Sequence, residues 1–107
     1  MALTDKELSQ IKYDDVFEKV YIWDYKTDEL TLEDKELIIP RLLYFPDEFD
    51  ENIKCLEKYY TKGTIYDVLE KTRELLFDEV LIQVCRRYGK PLFPRLTDRS
   101  HRQRYSL

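Results

Sequence analysis

Carboxylates recur in close groups along the chain: Asp14 with Asp15, Glu33 with Asp34, the run Asp47, Glu48, Asp50 and Glu51, and Asp78 with Glu79. Acid–base catalysis needs two such groups in a sheltered cleft with separated pKa values. Most of these acids fall where helices should start, and there they complement the helix macrodipole instead. Nucleophilic catalysis is no better served. The sole histidine, His101, sits in a basic stretch far along the chain, whereas a triad needs a base held rigidly by a third group. Cys55 and Cys85 stand alone in segments of helical pattern, with no CxxC spacing. A zinc site would need about four ligands, so the thiols read as reduced, unbridged and structural. There is no glycine-rich phosphate loop. The chain reads as non-enzymatic, with no cofactor and no metal.

The other residues able to do chemistry are cations. Residues 86–107 hold six arginines and one lysine against the single acid Asp98, a net of +6. The overall charge is −4, so residues 1–85 carry −10. An acidic body with a cationic, aromatic end suits contact with an anionic surface, either a protein or a nucleic-acid backbone. Leu92, Phe93, Leu96, Tyr105 and Leu107 interleave with the arginines. Guanidinium is weakly hydrated and pairs bidentately with carboxylate or phosphate, which fits an interface. The expected contact residues are Arg87, Phe93, Arg95, Arg99, Arg102, Arg104 and Tyr105. Their expected partner is another protein, a second copy of the chain in a homo-oligomer, or nucleic acid.

The elements that must position these residues are helical. At 107 residues the chain is large enough for one independent core. Its 43 % hydrophobic and 14 % aromatic content exceeds that of a disordered segment. Two glycines and four prolines leave little punctuation for hairpins. Thr4 with Glu7 forms a capping-box pattern ahead of Leu8 and Ile11. Asp14 or Asp15 could cap a short turn carrying Val16, Phe17 and Val20. Residues 21–25, YIWDY, are β-prone, with Trp23 expected as a buried anchor for the N-terminal segment. Thr31 with Asp34 starts the next helix, through Ile38, Ile39, Leu42 and Leu43, with Pro40 expected to kink it or open a new one.

Phe49, Ile53, Leu56 and Tyr60 recur on one helical face, which Lys62 and Gly63 should close. Thr64 with Asp67 then opens a helix carrying Ile65, Val68, Leu69 and Leu76. Phe77, Leu81, Val84 and Tyr88 mark the last, widened by Val80 and Cys85 and ended by Gly89 and Pro91. The expected fold is all-α, a compact bundle of four or five helices over residues 1–90, with an extended basic tail over 91–107. The predicted core comprises Ile38, Leu42, Phe49, Ile53, Leu56, Tyr60, Ile65, Val68, Leu69, Leu76, Phe77, Leu81 and Val84. The N-terminal MALTDKELSQ has no apolar run and does not read as a signal peptide. No stretch approaches about 18 apolar residues, so a cytoplasmic protein without a membrane span is expected.

The helices flanking Thr61–Thr64 have the helix–turn–helix layout of DNA-binding proteins. The second, with Asp67, Glu70 and Glu74 against Lys71 and Arg73, carries more acid than base. A reader helix in the major groove faces phosphates, which disfavours that balance. If the chain binds DNA, the arginines of the tail are the contacts.

Trp23-Asp24, the run IIPRLL over 38–43 and LEKYYTKGTIYDVLEKTREL over 56–75 together resemble a group of small prokaryotic proteins of unknown function. That group shows W-D, then I-I-x-R-hydrophobic, then L-x-x-x-Y, and the similarity spans roughly residues 21–88. Pro40 departs from the helix former expected at its position. The resemblance implies an antitoxin or accessory role, because such proteins are often encoded beside abortive-infection-type nucleotidyltransferases. It supplies no catalytic residues. The expected function is a protein-interaction module of antitoxin type, with a small DNA-binding regulator using the tail as the alternative.

Overall fold

Thr4 opens the first helix as its spacing predicts. In the computed structural model, which describes residues 3–74 and 76–93, its Oγ1 accepts the Glu7 N–H at 3.2 Å. The Thr4 N–H donates back to Glu7 Oε1 at 3.0 Å, completing a reciprocal cap. This helix, α1, spans only Asp5–Leu8 and buries Leu8. The next stretch is built from 3₁₀ turns at Tyr13–Asp15, Lys19–Ile22 and Thr27–Glu29. An antiparallel bridge between Lys12 and Thr31 closes it. The Tyr13 N–H donates to the Leu30 carbonyl at 3.0 Å and the Leu32 N–H to that of Ile11 at 2.9 Å. Tyr13 is fully buried, and its hydroxyl finds the Glu18 carbonyl at 2.6 Å, as a buried phenol requires.

Four longer helices follow: α2 (Lys35–Leu42), α3 (Phe49–Glu57, preceded by a 3₁₀ turn at Pro46–Glu48), α4 (Lys62–Lys71) and α5 (Asp78–Tyr88). The chain is therefore all-α, with five α-helices among the described residues. None of these helices is long and apolar enough to cross a membrane. The central element is α2, packed against α3, α4 and the Lys19–Ile22 turn. Its sequence explains this, since Ile38, Ile39, Pro40 and Leu42 are all buried, and a helix that is apolar on more than one side must be enclosed. Pro40 lies inside α2 and removes one backbone donor. The helix ends two residues later. Its last-turn carbonyl on Leu42 accepts the side-chain amide of buried Asn52 at 2.8 Å, so α3 caps α2 from outside.

All but one of the predicted core residues are buried. Phe77 is the exception, half-exposed, because it is the N-cap of α5 with extended backbone and not a member of the helix. Helical periodicity does not govern a cap. Three further expectations are corrected. Residues 21–25 form no strand; the segment enters a 3₁₀ turn. Trp23 is not an anchor but, among the described residues, the most exposed large apolar one, at 80 %. Lys62 and Gly63 do not close α3. Thr61 caps α4 by accepting the Thr64 N–H at 3.0 Å, so Gly63 sits in the first turn of the following helix. At the end of α5 the expected signal holds: Gly89 adopts φ 62°, the left-handed stop that glycine makes without strain.

Candidate functional site, an aromatic face around Arg41

Arg41 is the one charged residue in the apolar run 38–43, and a guanidinium placed there must find carboxylates to offset its lost hydration. Two are provided from distant parts of the chain. Asp24 accepts from Nη1 at 2.7 Å and from Nη2 at 3.0 Å, a bidentate fork, and Glu74 accepts from Nε at 3.4 Å. The fork holds the Asp24 carboxyl below its usual pKa and pushes the Arg41 guanidinium up. The Arg41 side chain is only 18 % exposed, and its Cζ lies 5.7 Å from the Tyr25 ring centroid. Arg41 thus fastens three segments together: the loop after the Lys19–Ile22 turn, α2, and the stretch between α4 and α5.

Around this clamp lie six of the seven exposed large apolar residues among the described residues, the seventh being Leu92. Tyr21, Phe45, Tyr44 and Phe77 form a continuous series of rings, with successive centroid distances of 5.9, 5.2 and 5.7 Å. Trp23, Val20 and Tyr25 flank it, and every member except Tyr21 is exposed. A shallow cleft of about 250 Å³ runs between Val20, Trp23, Arg41, Tyr44 and Phe45. The rings are held from behind. Asn52 fixes the end of α2, from which Tyr44 and Phe45 emerge, and the Tyr21 hydroxyl donates to Glu48 at 2.9 Å. Scattered surface apolar residues are ordinary, whereas a contiguous group of aromatics on a polar protein makes this the candidate surface. The arrangement offers flat π surface and anchored carboxylates, and no activated nucleophile. Among the described residues, no group of three or more His, Cys, Asp or Glu is placed to hold a metal ion.

The residues expected to make contacts lie elsewhere. Arg87, near the end of α5, is engaged within the fold. Its Nε and Nη2 donate to Glu57 on α3 at 2.9 and 2.7 Å, and the Tyr88 hydroxyl joins the same carboxylate at 2.8 Å. Phe93, expected as an interface anchor, is fully buried and stacks on Tyr66 of α4 at 4.6 Å and 27°. The Tyr66 hydroxyl reaches the Pro91 carbonyl at 2.9 Å. The core thus extends past residue 90, because the turn at Gly89 folds the chain back over α4. Arg95, Arg99, Arg102, Arg104 and Tyr105 lie outside the described residues. Arg87 and Phe77 sit near opposite ends of α5, about 15 Å apart along its axis, so α5 does not bring Arg87 to the aromatic face.

Sequence reasoning missed this face because it read Trp23 and Phe77 as buried by default. The available signal was Arg41 itself, whose place among aliphatic residues demanded an acid partner. Burial pushes the Cys85 thiol pKa up, opposite to the shift that activates a cysteine. A second opening, of about 640 Å³, lies between α2 and α4, with Lys35, Lys71 and Arg73 facing Glu36, Asp67 and Glu74. Its charges are mixed, with no convergent set aimed at one ligand. No protein-family model, curated protein or solved structure matches the chain.

Proposed function

We propose that this protein is a non-enzymatic interaction module that grips a partner protein through the aromatic face around Arg41. The observation that carries the reading is the concentration of exposed large apolar residues on one buttressed surface. Trp, Tyr and Arg are the residues that dominate binding energy at interfaces, and here they are preassembled, which lowers the ordering cost of association. Asp24 and Arg41 come from two of the segments that carry the sequence resemblance, and their bidentate pair lies at the centre of the face. That coincidence supports the finer reading of an antitoxin-like partner for a nucleotidyltransferase.

The test is affinity purification of the tagged chain from its native host, with a nucleotidyltransferase as the expected companion. The double substitution Trp23→Ser, Phe77→Ser should weaken that association by a factor of about thirty or more, the effect of losing about 2 kcal/mol at a hot spot. Unchanged recovery of the same companion would refute the reading. The alternative, a DNA-binding regulator, is favoured only by Arg95, Arg99, Arg102 and Arg104. Its signature is duplex affinity that falls steeply with salt and disappears when those arginines are replaced.

A further inference from the structure

We infer that the chain has a second binding surface, where α4 begins and α5 ends, and that this surface seats the phosphate backbone of duplex nucleic acid. It lies toward the other end of α5 from the aromatic face, and it draws on no residue after Phe93.

The folded body is electrically polarised. Residues 1–93 hold fourteen Lys or Arg and 21 acids, a net of −7. Yet residues 58–66 and 80–93 contain five cations and no acid, so the rest of that span carries −12. The fold brings the two acid-free stretches together. Lys62 Nζ lies 6.0 Å from the Tyr88 ring centroid, and Lys90 Nζ lies 5.4 Å from that of Tyr66. Glu57, one residue before the first stretch, is taken by the Arg87 fork and the Tyr88 hydroxyl.

That leaves Lys58, Lys62, Arg86 and Lys90, all exposed. Among the described residues, none of the four is paired with a carboxylate. The N-terminus of α4 adds its partial positive charge to theirs. At Gly63, in its first turn, a Cβ would meet only Thr61 Oγ1, at 4.0 Å, so the backbone there is open to close approach. The bordering acids are Asp50 on α3, which acts on Arg87, and Asp67 and Glu70 on α4, which act on Tyr66.

This is the chemistry of a polyanion site and not of a protein interface. Protein interfaces centre on apolar anchors, and the exposed large apolar residue in these stretches is Leu92 alone. Phosphates need no such anchor, because cations that neutralise them release condensed counterions. The acidic remainder is repelled, which turns the cationic end toward the nucleic acid.

Duplex is favoured over single strand for two reasons. It carries one charge per about 1.7 Å of axis, and single strands gain affinity by stacking bases on open rings. The rings here are engaged: Tyr66 stacks on Phe93 and carries Lys90, and Tyr88 carries Lys62. Asp67 and Glu70 disfavour entry of α4 into the major groove. The contact therefore holds backbone and reads no sequence, which separates it from a regulator.

The test is fluorescence anisotropy of a labelled random-sequence duplex titrated with the full chain. Four phosphate contacts give a salt slope of about −3.6, so affinity should fall about 150-fold between roughly 50 and 200 mM salt. A full chain carrying Lys58→Gln, Lys62→Gln, Arg86→Gln and Lys90→Gln, with its fold checked by circular dichroism, should bind at least about tenfold more weakly, with a slope flatter by about three units. A full chain carrying Arg95→Gln, Arg99→Gln, Arg102→Gln and Arg104→Gln should keep a slope of at least about −3.

No duplex affinity in the parent at the lower salt overturns the proposal and makes the surface a solvated one. Equal binding by the first variant and the parent also overturns it. So does binding lost in the second variant alone, which assigns the contact to the tail arginines. Tighter binding to a single strand of the same length refutes the choice of duplex. Competition by poly-glutamate as effective as by duplex at equal charge refutes nucleic acid and assigns the surface to acidic proteins. Trp23→Ser, Phe77→Ser should leave duplex affinity unchanged, and a loss there would move the contact to the aromatic face and overturn this placement.

Discussion

Replacing Phe93 with alanine should destabilise this protein more than almost any other change after residue 88, although by sequence Phe93 belongs to a basic tail. The ring is fully buried and lies flat on Tyr66 with 4.6 Å between centroids. Burying an aromatic side chain removes about 150–250 Å² from water, worth roughly 4–6 kcal/mol at 25 cal/mol per Å². Measured Phe→Ala losses in cores, about 3–5 kcal/mol, agree with that figure. A folded chain of this length has about 5–15 kcal/mol in total. The substitution should therefore remove a large fraction of the stability and lower Tm by more than about 10 °C.

Urea unfolding followed by far-UV circular dichroism measures this directly, with the m-value unchanged if only the native state is affected. Leu92 provides the control one residue away. Its side chain is 52 % exposed, so Leu92→Ala should stay within about 0.5 kcal/mol of the parent. If Phe93→Ala and Leu92→Ala cost the same small amount, the core ends with α5 and the placement of Phe93 over α4 is wrong. A chain ending after Lys90 should lose at least about as much as Phe93→Ala.

Trp23→Ser should leave the unfolding midpoint within about 0.5 kcal/mol, since the indole is mostly in water; a loss above about 2 kcal/mol would show that Trp23 is packed after all. Thr61→Ala should cost about 1 kcal/mol by removing the acceptor for the Thr64 N–H at the start of α4, read as a shift in urea midpoint. The Arg87 fork, with the Tyr88 hydroxyl assisting, holds the Glu57 carboxyl below its usual pKa. A depressed folded-state value contributes stability above the unfolded pKa and loses it as pH falls through the folded one. Urea midpoints at about pH 7 and pH 3 should then fall further apart in the parent than in Glu57→Gln, and identical pH profiles would show the pair contributes nothing. Cys85→Ala should lower stability by roughly 1–2 kcal/mol through the cavity it leaves, with Cys55→Ala costing less because that residue is only partly buried.

The helices from 49 to 88 were legible because their apolar spacing is regular and their stops are chemical. Phe49, Ile53, Leu56 and Tyr60 fall on one face and are buried, and Gly89 stops α5 in the conformation glycine alone adopts freely. The Thr61 cap was misassigned by one turn because Gly63 is compatible with either side of a boundary, and only the Thr61 hydroxyl, bonding the Thr64 N–H, decides it. Thr31 with Asp34 did mark the start of α2, the Thr31 N–H donating to Asp34 Oδ2 at 3.0 Å. Residues 9–30 were legible only as a short turn near Asp14 and Asp15. Their 3₁₀ turns have no sustained period, and what holds them is a buried tyrosine and one backbone bridge joining positions 19 residues apart. Local propensity cannot see such a pairing, which is why a β-prone reading of 21–25 failed.

The face was half-legible, and the reason separates two kinds of information. A polar group in an apolar run declares that it must have a partner, as Arg41 in IIPRLL and Asn52 beside Ile53 do. Which partner it takes is a property of the fold: Asp24 and Glu74 lie 17 and 33 residues from Arg41, and Asn52 reaches a carbonyl ten residues back. These contacts act together on the face proposed for docking. Asn52 ends α2 where Tyr44 and Phe45 can turn outward, and the Arg41 clamp holds the loop that presents Trp23 and Tyr25 beside them. Disrupting either polar contact should therefore loosen the aromatic face before it unfolds the helices. Arg41→Lys tests that ordering, because lysine keeps the charge and loses the fork. It should weaken partner binding by a larger factor than its effect on the urea midpoint accounts for. If binding and stability fall in strict proportion, the clamp serves the fold alone and the face does not depend on it.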